Sequence, residues 1–316
     1  LISASTKNEV NDTLSIDPYI ENNTYNIMRF KQDILDGNSF IGFMATSYDG
    51  LRGTFIKNED TYTNNQDASN VSNYSIDSKL NFLDNRLQSN FQLAQTKSGQ
   101  TGQANFLSVN YNFNEYWSGY ISCDYIDEYF DNNDIGYTKR NDIESKDFEI
   151  TYHDFNPNSR FIESKTSLGF SQSNSVSKKY QLKNLIFLEN QIDFINNQSI
   201  AFGFYKSYNV YDDRLLFDYK DNLLSEQSIF TPSSNTFYIG WESDLRNINS
   251  FMVGLSYKTN KIKDDRYIFT YNQTYRPQHD IKISFDYIYK YGYKKYHWLE
   301  TTTDDSENLH HIFSNK

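Results

Sequence analysis

The sequence predicts an all-β protein, an antiparallel transmembrane β-barrel of about 14 strands within a range of about 12 to 16. Three observations carry this expectation. Apolar and polar residues alternate with a period of two in segment after segment, which is the strand period because successive side chains leave opposite faces of the backbone. Many segments run to about nine to eleven residues, the length a tilted strand needs to cross a bilayer. The composition is inverted for a soluble β-protein: apolar residues are only 37% of the 316 residues, yet 27 Tyr and 24 Phe are present. A mean hydropathy of -0.75 alone would suggest a poorly packed chain. It suits a barrel in which half of every strand meets water.

The elements follow in order. "YSIDSKLNF" sets Ile76, Ser78, Leu80 and Phe82 against Ser75, Asp77, Lys79 and Asn81. The turn at Asp84 and Asn85 leads to Leu87, Phe91 and Leu93, alternating with Gln88, Asn90 and Gln92, so the pair reads as a hairpin. "LSVNYNF" turns Leu107, Val109, Tyr111 and Phe113 one way, and after "NEY" the series resumes with Trp117, Gly119, Ile121, Cys123 and Tyr125. Segments 147–155 and 160–171 flank "NPNS", a turn signal around Pro157. Ile200, Phe202 and Phe204 form the next strip, followed by Phe237, Ile239 and Trp241. Phe251, Val253, Leu255 and Tyr257 lead through a charged turn at Asp264 and Asp265 to Tyr267, Phe269 and Tyr271. A turn at Pro277 precedes "DIKISFDYIYK", with Ile281, Ile283, Phe285, Tyr287 and Tyr289 on one parity. Residues 213–228 read as a long acidic loop, and no blade-length repeat of a propeller is present.

Charge and cysteine content narrow the function classes. A net charge of -11 without a basic stripe opposes nucleic-acid binding. One cysteine, Cys123, excludes an internal disulfide and a cysteine-rich metal site. No run of 18 apolar residues exists. The chain opens at Leu1 in a polar stretch, and the expectation is a single barrel domain over residues 1–316, truncated at both ends.

Two stretches carry a resemblance. "RFKQDILDGNSFIGFMATSYDG", residues 29–50, and "NNDIGYTKRND", residues 132–142, resemble the C-terminal barrel region of the DUF5916 family, and "LNFLDNRLQSNFQLAQTKSG" between them fits the same run of strands. The resemblance covers residues 25–175 well and the remainder by pattern. It implies a barrel in the outer membrane of a Gram-negative bacterium. Family members often carry an N-terminal domain similar to family 9 carbohydrate-binding modules, which implies a carbohydrate or another small solute as partner beside membrane lipid. The family supplies no catalytic residues to carry over.

Candidate sites are few. Asp131, Asp134 and Asp142 with Lys139 and Arg140 gather polar groups around Gly136, a weak Ca²⁺ signal against the plainer reading of a connection between strands. Asp212, Asp213, Asp218 and Asp221 lack EF-hand spacing and read as a solvated loop. His153, His279, His297, His310 and His311 show no paired ligand spacing, so neither metal nor cofactor is expected. Cys123 reads as packing or lipid contact, and no nucleophile motif points to catalysis. Trp117, Trp241 and Trp298 suit either an interfacial girdle or sugar stacking. Asp77, Lys79, Glu163, Lys165, Lys282 and Asp286 fall on the polar parity and are the candidate lumen-lining charges. The leading expectation is a porin-like channel or surface-anchoring barrel. The alternatives are a barrel anchoring a carbohydrate-binding or hydrolytic domain, and a soluble β-rich adhesin.

Overall fold

The structure, a computed structural model, describes residues 2–9, 20–58, 61–131, 140–156, 158, 160–213, 228–260, 265–278, 280–292, 297–303 and 309–314. No helix occurs among them. The strands in chain order are β1 (Ile2–Glu9), β2 (Ile20–Ile34), β3 (Ser39–Asn58), β4 (Thr61–Phe82), β5 (Leu87–Ser98), β6 (Gln100–Asn112), β7 (Trp117–Ile126) and β8 (Ile143–Asp154). They continue with β9 (Phe161–Asn174), β10 (Gln181–Phe194), β11 (Ser199–Ser207), β12 (Val210–Asp212), β13 (Ile229–Thr231), β14 (Ser234–Glu242) and β15 (Asn249–Asn260). The last are β16 (Arg266–Gln278), β17 (Ile281–Gly292), β18 (His297–Thr303) and β19 (Leu309–Ser314). Fifteen are sheet strands, inside the expected range, and the other four form the small hairpins β12–β13 and β18–β19.

The chain clusters into two compact units. The first takes Leu1–Tyr111, Ser122–Ser145 and Ser175–Lys179; the second takes Asn112–Ile121, Lys146–Asn174 and Tyr180–Lys316. In the first unit, β1 to β6 pair neighbour to neighbour, all antiparallel. In the second, β9, β10, β11, β14, β15, β16 and β17 do the same.

Local chemistry explains the strand ends. Leu83, Asp84 and Asn85 turn the chain between β4 and β5 at φ of 53°, 55° and 65°, the left-handed region that Asn and Asp tolerate. Arg86 N–H donates to Leu83 O at 3.1 Å to close that turn. Between β6 and β7 the Asn114 side chain accepts from the N–H of Tyr116 at 2.8 Å and of Trp117 at 2.9 Å, an Asx turn. Pro277 differs from expectation. It lies inside β16, in the register break between Tyr275 and Gln278, because a residue without an N–H fits where the ladder is already interrupted.

Cross-strand partners share a face, so the register assigns every side chain. In the first unit Phe43, Ile76, Leu93 and Asn105 stand in one row, flanked by Phe30, Tyr74, Leu107 and Val109 on the same face. In the second unit Leu168, Leu188, Phe204, Phe237, Tyr257, Tyr267 and Tyr291 form one row across seven strands. Ile186, Phe202, Ile239, Leu255, Phe269 and Tyr289 belong to the same face. This apolar face is the exposed one: Phe30, Ile76, Leu188, Ile239, Leu255 and Phe285 are each at least 43% exposed. Among the described residues only Tyr48, Val71 and Phe130 are buried apolar side chains, whereas fourteen Ser and Thr residues are buried. A soluble sheet hides its oily face, and here the enclosed face is the hydroxyl-rich one.

Candidate functional site

The polar face begins with residues chosen by parity. In the first unit Arg29, Lys31 and Asp33 of β2 share it with Asp77 and Lys79 of β4. Arg29 reaches across Gly42 of β3 to Asp77, its Nη2 lying 2.7 Å from Oδ2 while Nη1 donates to Oδ1. A side chain on Gly42 would meet this pair, with Arg29 Nη2 2.6 Å and Asp77 Oδ1 2.9 Å from a Cβ. Lys31 contacts Asp33 at 3.3 Å and stands 4.4 Å over the Phe40 ring.

In the second unit, hydrogen bonds tie β8 to β9 along the same kind of face. Thr151 Oγ1 lies 2.8 Å from Ser167 Oγ and donates to Glu149 at 2.9 Å. His153 Nε2 lies 3.1 Å from Glu163 Oε2, and Ser171 donates to Asp147. These bonds fix the odd residues of β8 on the polar side and leave Phe148 and Tyr152 on the apolar side. Lys165 is opposite Gln191 on β10. Asp286 accepts from Asn272 of β16, and Lys282 shares its parity on β17. The six charged residues singled out from the sequence therefore all stand on the polar face. Asp77, Glu163 and Asp286 are engaged by Arg29, His153 and Asn272, partners that sequence reasoning did not supply.

A second feature was not legible in the sequence. After β7 the chain folds onto the polar face of the first unit. Asp127 N–H donates to Gln103 O at 3.0 Å, and the Asp127 carboxylate accepts from Gln103 N–H at 2.8 Å. Asp131 N–H donates to Thr96 Oγ1 at 3.1 Å, and Thr96 is fully buried. Phe130 is 6% exposed, and its backbone lies so close to Gly102 that no Cβ fits there. Thr96 and Gly102 are cross-strand partners, so this glycine makes room for the returning chain. At its other end the connection is held by Asp142, which accepts from Ser175 Oγ at 2.7 Å, Ser177 N–H at 2.7 Å and Ser177 Oγ at 2.9 Å. Burial pushes the Asp142 carboxyl up, but these bonds together with one from the Val176 backbone outweigh it and hold it below the usual carboxylate range.

The remaining expectations find these places. Asp134, Gly136 and Lys139 lie outside the described residues, and so do Asp218, Asp221, Asp264 and His279. Trp298, His297, His310 and His311 are in β18 and β19, and their side chains lie outside the description. Among the described residues no group of three His, Cys, Asp or Glu is placed to hold a metal. Cys123 is exposed. On the apolar side, Trp117 packs on Tyr152 at 5.0 Å between ring centroids and Trp241 on Phe251 at 4.9 Å. At the opposite strand ends of the second unit Tyr257 stacks on Tyr267 at 4.7 Å, with Tyr291 beyond it at 6.4 Å. Tyr267 and Tyr275 bracket β16 with eight residue steps, about 27 Å along the strand. Tilted by about 40°, that distance gives a band of about 20 Å, close to the apolar band of a membrane barrel.

The class that these faces define is an all-β antiparallel protein with an oily exposed face, aromatic strand ends and a hydroxyl-rich enclosed face. The chain belongs to the DUF5916 family, a domain of unknown function, whose pattern matches residues 2–316 and so extends well beyond the stretch where the resemblance is plain. A search of curated proteins returns no match. Among solved structures, the chain is similar to OccAB4 of Acinetobacter baumannii, with 10% identity and a TM-score of 0.47 over 92% of this chain and 91% of that one. It is also similar to a bacterial polysaccharide outer membrane secretin, with 12% identity and a TM-score of 0.42 over 86% of this chain and 87% of that one. The outer membrane protein OprD of Pseudomonas aeruginosa gives 10% identity and a TM-score of 0.40 over 87% of this chain and 84% of that one.

Proposed function

We propose that the chain builds a β-barrel in the bacterial outer membrane, with the apolar face against lipid and the polar face lining a passage for small polar solutes. The observation that carries this reading is the reversed polarity of the sheet. Exposing rows such as Leu188, Phe204, Phe237, Tyr257 and Tyr267 to water is unfavourable at roughly 25 cal/mol per Å² of apolar surface. Hydrocarbon removes that cost. Backbone groups in hydrocarbon must be paired, and the antiparallel ladders pair them between neighbouring strands within each unit.

The wall is built more of Ser, Thr, Asn and Gln than of charge, so uncharged hydroxyl-rich solutes, carbohydrates among them, suit it. Packing of residues 127–131 on the polar face favours a second reading, a narrowed or plugged barrel that anchors a neighbouring domain at the surface. Both readings require the membrane. The test is fractionation of the protein in cells, heat-modifiable migration on gels and conductance in planar bilayers. Steady current supports the passage; membrane recovery with no current supports the anchor; recovery in the soluble fraction without detergent overturns both.

A further inference from the structure

Three aromatic rings occupy the polar face of the second unit, where hydroxyl, amide, glycine and charged residues predominate. Phe187 on β10 is directly opposite Tyr205 on β11, and Tyr238 on β14 is one step along. Their ring centroids follow one another at 6.1 Å and 5.8 Å, with interplanar angles of 34° and 29°, so the three form a continuous row of rings, each tilted against the next. The outer two lean over glycines on the neighbouring strand. A Cβ on Gly169 would fall on Cζ and Cε1 of Phe187, and one on Gly203 would fall on Cε1 and Cζ of Tyr238. One face of each ring is therefore laid on the sheet backbone, and its opposite face is turned to the polar space. Tyr205 is held in the row by its hydroxyl, which donates to Glu189. Ser167 stands across from Glu189, and the Ser171 and Asp147 pair flanks the Phe187 end.

Ring-over-glycine packing stabilises a sheet wherever it occurs. It does not require the rings to follow one another from strand to strand, nor to border a carboxylate and a row of hydroxyls. A row of aromatic faces with polar groups at its edge matches one ligand chemistry closely. A pyranose has an apolar C–H face that stacks on an aromatic ring and a rim of hydroxyls that hydrogen-bonds to the groups beside it. An aliphatic solute makes no use of the Glu189 carboxylate at the edge of the row, and a simple ion makes none of the rings.

We propose that Phe187, Tyr205 and Tyr238 form a stacking track for a linear oligosaccharide, with the Glu189 carboxylate at its edge binding the sugar hydroxyls. The inference rests on the reading of this face as lining a passage, and it specifies the solute. Passage along successive rings lets each sugar exchange one platform for the next without ever being fully released.

The test uses the full chain in planar bilayers, with maltohexaose, cellohexaose and chitohexaose as probes, and calorimetry of the same sugars with the detergent-solubilised protein. At least one hexasaccharide is expected to interrupt the ion current and to bind. Phe187→Ala and Tyr238→Ala should each weaken that binding roughly tenfold, the order expected for losing one stacked ring. Tyr238→Phe, which keeps the ring, should bind as the parent does, and heat-modifiable migration identifies variants that are folded. Absence of any current refutes the passage alone, because the calorimetric comparison still decides the track. Failure of all three sugars to bind, or unchanged binding in a folded Phe187→Ala, Tyr238→Ala double variant, overturns it.

Discussion

Arg29 lies across Gly42 to pair with Asp77, so a charged bridge spans three strands on the polar face of the first unit. Lys31 and Lys79 stand beside it on the same face. Replacing Asp77 with Asn leaves Arg29 and both lysines with one fewer counter-charge. The expected result is a reversal potential shifted toward anion preference across a KCl gradient, and Arg29→Gln should shift it the opposite way. Equal and unchanged potentials in the two variants would show that ions do not pass this pair.

Gly42→Val forces the bridge to move, because the new Cβ would fall within 2.6 Å of the guanidinium. Conductance should change while folding, read from heat-modifiable migration, is retained, since the cost falls on the side-chain ends of Arg29 and Asp77 rather than on the ladder.

The apolar band makes a prediction about depth. Leu255→Lys, midway along β15, should destabilise the protein in lipid vesicles by about 2–4 kcal/mol, whereas Trp117→Lys at a strand end should cost about 0–1 kcal/mol beyond the loss of ring packing. Denaturant titration of vesicle-inserted protein measures both. Equal costs would place the two residues at one depth.

Cys123 offers a chemical check of which side faces lipid. It shares a parity with Trp117 and Ile121 on β7 and is exposed. A thiol in hydrocarbon does not meet a charged reagent. In vesicles Cys123 should resist a charged maleimide, and it should react once the protein is unfolded. Rapid labelling of the folded protein would place β7 the other way round.

Asp142 predicts a pH dependence. Its carboxyl is held below the usual range, so the stabilisation it gives is fully present above the ordinary carboxylate pKa of about 3.9 and is lost as pH falls through the lower folded value. Protection of the Ser177 amide in hydrogen exchange should therefore persist from neutral pH to about 4 and fall below that. Asp142→Ala should abolish it at every pH, at a cost of about 1.5–3 kcal/mol for hydrogen bonds to a charged group. Asp244, lowered to about 2 by the Arg246 guanidinium and backbone N–H, follows the same sign in its turn, and because Arg246 itself is exposed Asp244→Ala should change stability little.

The faces were legible in the sequence wherever one strand kept a strict period. β17, β15 and the second half of β4 were legible because Tyr, Phe and Ile stand there on the parity opposite the bulk of the charges, with Ile288 alone out of step in β17. β10 was harder. In "LKNLIFLENQ" four apolar residues run together, and only the register shows that Ile186 and Leu188 face one way while Leu185 and Phe187 face the other. That run hid the stacked rings, since an aromatic on the polar parity looks like noise until its neighbours on two other strands are known. The return of residues 127–131 onto the sheet was hidden for a similar reason. Its signal is a glycine, Gly102, whose partner lies 28 positions away and across no predicted hairpin.

The crowded positions of the polar face in the second unit are occupied by Ser167, Ser171, Ser173, Thr151, Ser234, Ser250 and Thr274, all small hydroxyl side chains. Small side chains leave clear space above the sheet. Exchanging serine for threonine or asparagine at one of these sites would fill it in steps of an atom or two without disturbing the ladders, so single codon changes can alter how crowded this face is.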